Sequence, residues 1–136
     1  MDDTDGHEIE CALRETKEEI GIGSEHIKIW GTGCQITPRE GPSIVPVLGS
    51  IENFNTDLLT RNDDEVDKIF NVSIEQLIDC NYRRHTQFKE YAMPVYLGGE
   101  EKIWGMTAMI THFFLCSLLP KDLYPRRIEY IKKYST

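Results

Sequence analysis

The chain has 136 residues, room for one domain and hardly two, and its 40% apolar and 28% charged content is that of an ordinary globular protein. Twenty-three acidic against fifteen basic residues give a net charge of −8, which argues against a nucleic-acid binder, because a polyanion needs a basic patch to release counterions. The most apolar run, residues 106–119, is too short to span a bilayer, so no membrane span is expected.

A first helix is expected over residues 7–20, where Ile9, Ala12, Leu13, Thr16 and Ile20 recur at spacings of three and four. Thr4 or Asp5 is placed to cap its start, and Gly21 stands where a left-handed C-terminal residue belongs. Residues 27–37 and 43–51 read as extended, with Pro46 marking an edge or a bulge. Residues 69–72 read as a short strand, and Ser73-Ile74-Glu75-Gln76 is a capping box opening a short helix to about Cys80. Residues 88–97 and 101–104 suggest a hairpin around Leu97-Gly98-Gly99-Glu100. A buried helix over 107–119 ends at Pro120, and 126–134 reads as a basic amphipathic tail helix that Arg126, Arg127, Lys132 and Lys133 solvate. The order predicts an α/β (α+β) fold, a mixed sheet covered by helices on both faces.

Cys11, Cys34, Cys80 and Cys116 are widely spaced, as are His7, His26, His85 and His112, so free thiols rather than zinc or disulfides are expected. His112 on an apolar helix reads as a satisfied core histidine, and Trp30 and Trp104 as core aromatics.

Chemistry concentrates in Arg14-Glu15-Thr16-Lys17-Glu18-Glu19-Ile20-Gly21-Ile22. Glu15, Glu18 and Glu19 are three and four residues apart, so they share one helical patch, where like charges cost about 0.2–0.5 kcal/mol per pair. They also lie toward the negative end of the helix dipole, which disfavours each anion by about 0.3–1 kcal/mol. A hard divalent cation reverses both effects, because carboxylate oxygens are its preferred ligands. The alternative is a solvated acidic face eased by Arg14 and Lys17.

This segment resembles the second half of the Nudix box, Arg-Glu-U-x-Glu-Glu-x-Gly-U with U bulky and apolar; Thr16 at the first U is a mild departure. Asp2-x-x-Asp5, Ala12-Leu13, Asp64-Glu65-Val66-Asp67-Lys68-Ile69-Phe70, Met93-Pro94-Val95-Tyr96 and Ile103-Trp104-Gly105-Met106-Thr107-Ala108-Met109-Ile110 are similar to the coenzyme A diphosphatase branch. The resemblance covers about residues 2–119. It implies a Nudix-like α/β/α sandwich over residues 1–119, followed by the tail at 120–136. The box's Gly-Gly-Lys and the strands before it have no counterpart here, so a truncated domain, weak or inactive beside a longer parent, is expected. Uncovered strand edges would also allow association, a homodimer included.

The resemblance implies an enzyme that uses Mg²⁺ or Mn²⁺ to hydrolyse coenzyme A or acyl-coenzyme A to 3′,5′-ADP and a 4′-phosphopantetheine. Its substrate is a small molecule, without nucleic acid or membrane. By carry-over, Glu15, Glu18 and Glu19 would be metal ligands, Glu15 alternatively orienting a water or serving as base, and Arg14 would hold a box carboxylate in place. Glu65, in the run Asp63-Asp64-Glu65, is the preferred general base. The 3′-phosphate of coenzyme A calls for a cation, and Arg83, Arg84 and Lys89, beside His85, form the one basic cluster before the tail. Two alternatives stand beside this reading: another nucleoside diphosphate such as ADP-ribose or NADH as substrate, or a non-catalytic fragment keeping a vestigial metal helix. The family's distribution favours mitochondrion or cytoplasm.

Overall fold

The structure, a computed structural model, describes residues 3–88 and 91–127 and divides into two compact units, Met1–Ile69 and Phe70–Thr136. Lys89 and the tail beyond 127, where most of the expected tail helix falls, lie outside the described residues.

In the first unit, α1 (Asp3–Ile20) starts four residues earlier than its apolar stripe suggests, so Thr4 and Asp5 belong to its first turn instead of capping it. Ala12, Leu13 and Thr16 face a small apolar cavity completed by Ile27, Ile29, Val47, Gly49 and Ile51 of the antiparallel pair β1 (Ile27–Thr32) and β2 (Val47–Ile51). The strand expected over 27–37 breaks after Thr32 and resumes only as the bridge Ile36↔Ile44. The irregularity expected at Pro46 falls on β1, where the register shifts between Ile29 and Gly31; Pro46 directly precedes β2, its carbonyl accepting from the Gly33 N–H at 2.7 Å. This shift corrects the placing of Trp30. Trp30 lies at the register shift and is 57% exposed, its indole N–H donating to Ser50 Oγ at 3.0 Å.

In the second unit, α2 (Ile74–Ile78) carries the expected capping box: Ser73 Oγ accepts from the Gln76 N–H at 3.1 Å, and Gln76 Oε1 from the Ser73 N–H at 2.9 Å. Residues 69–72 form no strand, having no ladder partner. The strand expected over 88–97 is β4 (Tyr91–Tyr96), and it pairs with β3 (Arg83–Phe88), a strand not expected from the sequence, in the register Arg83↔Tyr96 and His85↔Pro94. The pairing expected around Leu97-Gly98-Gly99-Glu100 reduces to the bridge Tyr96↔Ile103. A Cβ on Gly98 would lie 2.4 Å from the Gln76 carbonyl oxygen, so only glycine lets this turn approach α2. Helix α3 (Gly105–Leu118) contributes Ala108 and Leu115 to a core shared with Leu77, Tyr96 and Tyr124. Trp104, expected in the core, just precedes α3 and is 64% exposed, with Lys102 Nζ 5.4 Å from its ring centre. Helices and sheets combine as expected for an α/β chain, but every described strand pair is antiparallel where a mixed sheet was expected.

Candidate active site

The box segment forms the last two turns of α1 and its exit. Gly21 ends the helix at φ +80°, its N–H bonded to the Lys17 carbonyl at 3.0 Å, the left-handed stop expected from sequence. Ile22 follows, 1% exposed, and anchors the exit in the interior. Thr16, the departure from the box pattern, bonds its hydroxyl to the Ala12 carbonyl at 2.7 Å and so presents no unsatisfied polar group to the apolar cavity.

Glu15, Glu18 and Glu19 are all exposed. Arg14 reaches two of them: Nη1 lies 2.6 Å from Glu18 Oε2, and Nη2 3.5 Å from Glu15 Oε1. The hydrogen bond to Glu18, followed by that to the Cys11 sulfur, raises the Arg14 pKa above its ordinary value. Arg14 thus reaches Glu15 and Glu18, two of the three carboxylates of the box. Glu19 makes no ion pair among the described residues.

The loop after β2 is tied to this helix end. The Thr60 N–H donates to the Ile20 carbonyl at 2.8 Å, and the Asn62 N–H to the Glu19 carbonyl at 2.9 Å. Both acceptors belong to the last turn of α1, which has no intrahelical donors left for its carbonyls. Asn62 then nucleates a turn: its side-chain oxygen accepts from the Asp64 N–H at 3.2 Å, and its carbonyl from the N–H groups of Glu65 and Val66 at 3.2 and 2.9 Å. Arg61 pairs with Asp63 at 2.8 Å and donates to the Asp67 carbonyl. The exposed Glu65 therefore sits on a turn bonded through its main chain to the end of the carboxylate helix. Thr60, Arg61 and Asn62 were missed as positioning residues. The Asn-Asp-Asp run, an Asx-turn signal, was the available clue.

Exposed carboxylates on one helical patch have the donor chemistry a hard cation prefers. Their side chains do not converge, however: no group of three His, Cys, Asp or Glu among the described residues is close enough to hold a metal ion.

In the second unit, Arg83 and Arg84 of the basic cluster open β3. Arg83 is 3% exposed, with its carbon Cζ 4.2 Å from the Tyr124 ring centre. Arg84 is half-buried and donates through Nη1 to the carbonyls of Asn81 and Arg83 at 2.9 and 2.7 Å. His112 is buried as expected, its Nδ1 2.8 Å from the Tyr124 hydroxyl. No described helix is long and apolar enough to cross a membrane.

A family profile described as the NUDIX domain matches residues 3–96. The chain is 36% identical over 129 residues to the mitochondrial coenzyme A diphosphatase NUDT8 of Mus musculus, covering 91% of this chain and 61% of that protein. It is 32% identical to the Homo sapiens protein of the same name, covering 92% and 55%, and 31% identical to Nudix hydrolase 3 of Caenorhabditis elegans, covering 85% and 55%. The chain thus spans between about half and three-fifths of the length of these relatives. With the half-box on α1, its glycine stop and the profile match across both, the chain belongs to the Nudix family.

Proposed function

We propose that the chain carries the hydrolytic site of a metal-dependent Nudix diphosphatase acting on coenzyme A or acyl-coenzyme A. The observation that supports this most is the carboxylate end of α1, where Arg14 spans Glu15 and Glu18 and the Glu65 turn is bonded to the same helix end. The substrate comes from the relatives named coenzyme A diphosphatase, and a mitochondrial location from the same names.

Water adds to one phosphorus of the diphosphate, the bridging P–O bond breaks, and two phosphate monoesters leave. From coenzyme A these are 3′,5′-ADP and 4′-phosphopantetheine. Glu15, Glu18 and Glu19 are the residues that would hold Mg²⁺ or Mn²⁺, which supplies charge neutralisation and acidifies water. Arg14 keeps the Glu18 carboxylate fixed by a short charged hydrogen bond, so that less ordering remains to be done when the cation binds. Glu65 takes the proton of the attacking water. The 3′-phosphate falls to the basic cluster of Arg83, Arg84 and Lys89.

The test is chromatographic. Coenzyme A incubated with the protein and millimolar Mg²⁺ or Mn²⁺ should yield 3′,5′-ADP, and Glu18→Gln and Glu19→Gln should each abolish it. Turnover of ADP-ribose or NADH with coenzyme A untouched would move the substrate to another nucleoside diphosphate. Full activity of Glu18→Gln at saturating Mg²⁺ would remove that residue from the ligand set.

A further inference from the structure

Among the described residues of the second unit, Arg83 is a buried cation that makes no ion pair. Arg83 is 3% exposed, and its Nε and Nη2 are enclosed without a hydrogen-bond partner. Around it stand Tyr124, Tyr96, His112 and Cys116: the Tyr124 hydroxyl lies 2.6 Å from that of Tyr96 and 2.8 Å from His112 Nδ1, and the Cys116 sulfur 3.6 Å from His112 Nε2. None supplies an anion. Burial pushes both phenols and the thiol up, and burial followed by Arg83 pushes the imidazole down, so all four stay neutral. On the same face of β3, two residues along, His85 Nδ1 is likewise enclosed and unpartnered. A π-face contact offsets only part of the loss when charged donors leave water.

The unpartnered atoms have a shape. Nε and Nη2 form the side-on fork of the guanidinium, whose two parallel N–H bonds match two oxygens of one phosphate. Tyr124 lies across the guanidinium, its ring centre 4.2 Å from Arg83 Cζ. Residues 121–123 and 125–127 are exposed and only Tyr124 inserts, at the end of a turn in which the N–H groups of Leu123 and Tyr124 bond the Pro120 carbonyl at 3.1 and 3.0 Å. Arg126 Nη2, bonded to the Cys116 carbonyl at 3.1 Å, holds the far side of this strap.

We propose that the Arg83 fork receives a phosphate monoester and that Tyr124 is a gate closed over it, which opens when the ligand enters. The inference rests on the coenzyme A reading and deepens it: the ligand group is the nucleotide's 3′-phosphate, and within the basic cluster Arg83 is the residue that discriminates it.

The experiment is done first without metal, in EDTA, on the whole chain. Calorimetric titration should show 3′,5′-ADP binding about tenfold more tightly than 5′-AMP. Arg83→Gln should bring the two to parity, and Arg83→Lys, which keeps the charge and loses the fork, should fall between. In chain labelled with 3-fluorotyrosine, the ¹⁹F signal assigned by its loss in Tyr124→Phe should move toward the solvent-exposed position with 3′,5′-ADP and not with 5′-AMP. Equal binding of the two nucleotides by the unsubstituted chain, or a tenfold preference surviving in folded Arg83→Gln, overturns the proposal. Hydrolysis separates the two readings. If coenzyme A and dephospho-coenzyme A are cleaved with equal KM, the phosphate fork fails and the diphosphatase stands. If neither is cleaved while the tenfold preference holds, the diphosphatase fails and the fork stands.

Discussion

Replacing Gly21 by alanine strikes the joint between the carboxylate helix and the loop that carries Glu65. At φ +80° an L-residue pays about 1–2 kcal/mol for its left-handed backbone. The added Cβ would also lie 2.8 Å from the Thr60 Cβ, 2.9 Å from its nitrogen and 3.1 Å from its oxygen. Two of these three neighbours are backbone, and that nitrogen is the donor to the Ile20 carbonyl, so the loop cannot yield without giving up the bond that docks it. Overpacking of this kind costs about 1–3 kcal/mol, which makes the whole effect about 2–5 kcal/mol.

The sign is the sharper test. At an unstrained position Gly→Ala stabilises by about 0.4–1 kcal/mol. Gly6, inside α1 and with nothing within 4 Å of where an alanine methyl would sit, supplies that control in the same helix. Trp30 lies in the first unit and Trp104 in the second, so a Trp104→Phe background lets Trp30 fluorescence follow urea unfolding of the first unit alone. Gly6→Ala should raise the midpoint and Gly21→Ala should lower it. A loss at Gly21 below about 1 kcal/mol would show that loop and helix end are not locked as described.

Arg14→Lys should weaken Mn²⁺ binding about 10–100-fold by calorimetry, because an ammonium cannot span Glu15 and Glu18 as the guanidinium does; unchanged affinity would deny Arg14 its positioning role. Tyr124→Phe should cost about 1–3 kcal/mol in urea unfolding, since it strips the buried Tyr96 hydroxyl and His112 Nδ1 of their shared partner. The His112 pKa is depressed by burial first and by Arg83 second, so its contribution is complete above the unfolded value near 6.5 and is lost as the pH falls toward the folded one. Unfolding between pH 7.5 and 5 should show that loss, at up to about 1.4 kcal/mol per pH unit, and His112→Gln should remove it; parallel pH curves for the two proteins would refute the assignment.

The carboxylate helix was legible because two signals coincided on the same residues: an apolar stripe of helical period and a charge pattern that helix stability alone would not choose. The capping box at Ser73 was legible because it is wholly local. Strand β3 was not. Its inward positions are filled by Arg83 and His85, so the run carries no apolar alternation by which a half-buried strand is recognised. Both tryptophans misled for a related reason, since aromatic character reports a tendency to be buried while the bulge at Trp30 and the helix entry at Trp104 decide direction. The tether formed by Thr60 and Asn62 is a main-chain contact between segments some forty residues apart, which side-chain patterns do not encode.

The helix end also answers the electrostatic question that the sequence raises. Three acids crowd the negative end of a helix dipole, an arrangement unfavourable on both counts. Part of that burden is lifted by side chain, through Arg14, and part by main chain: the Thr60 and Asn62 N–H groups meet the terminal carbonyls of Ile20 and Glu19, whose partial charges generate the negative potential. Glu19 itself keeps its carboxylate exposed and outside any ion pair among the described residues. The compensation is therefore incomplete, and it is incomplete where an incoming cation would need a donor. A stability-driven sequence would pair Glu19; on the function proposed above, a ligand to a divalent ion is better left exposed and unpaired.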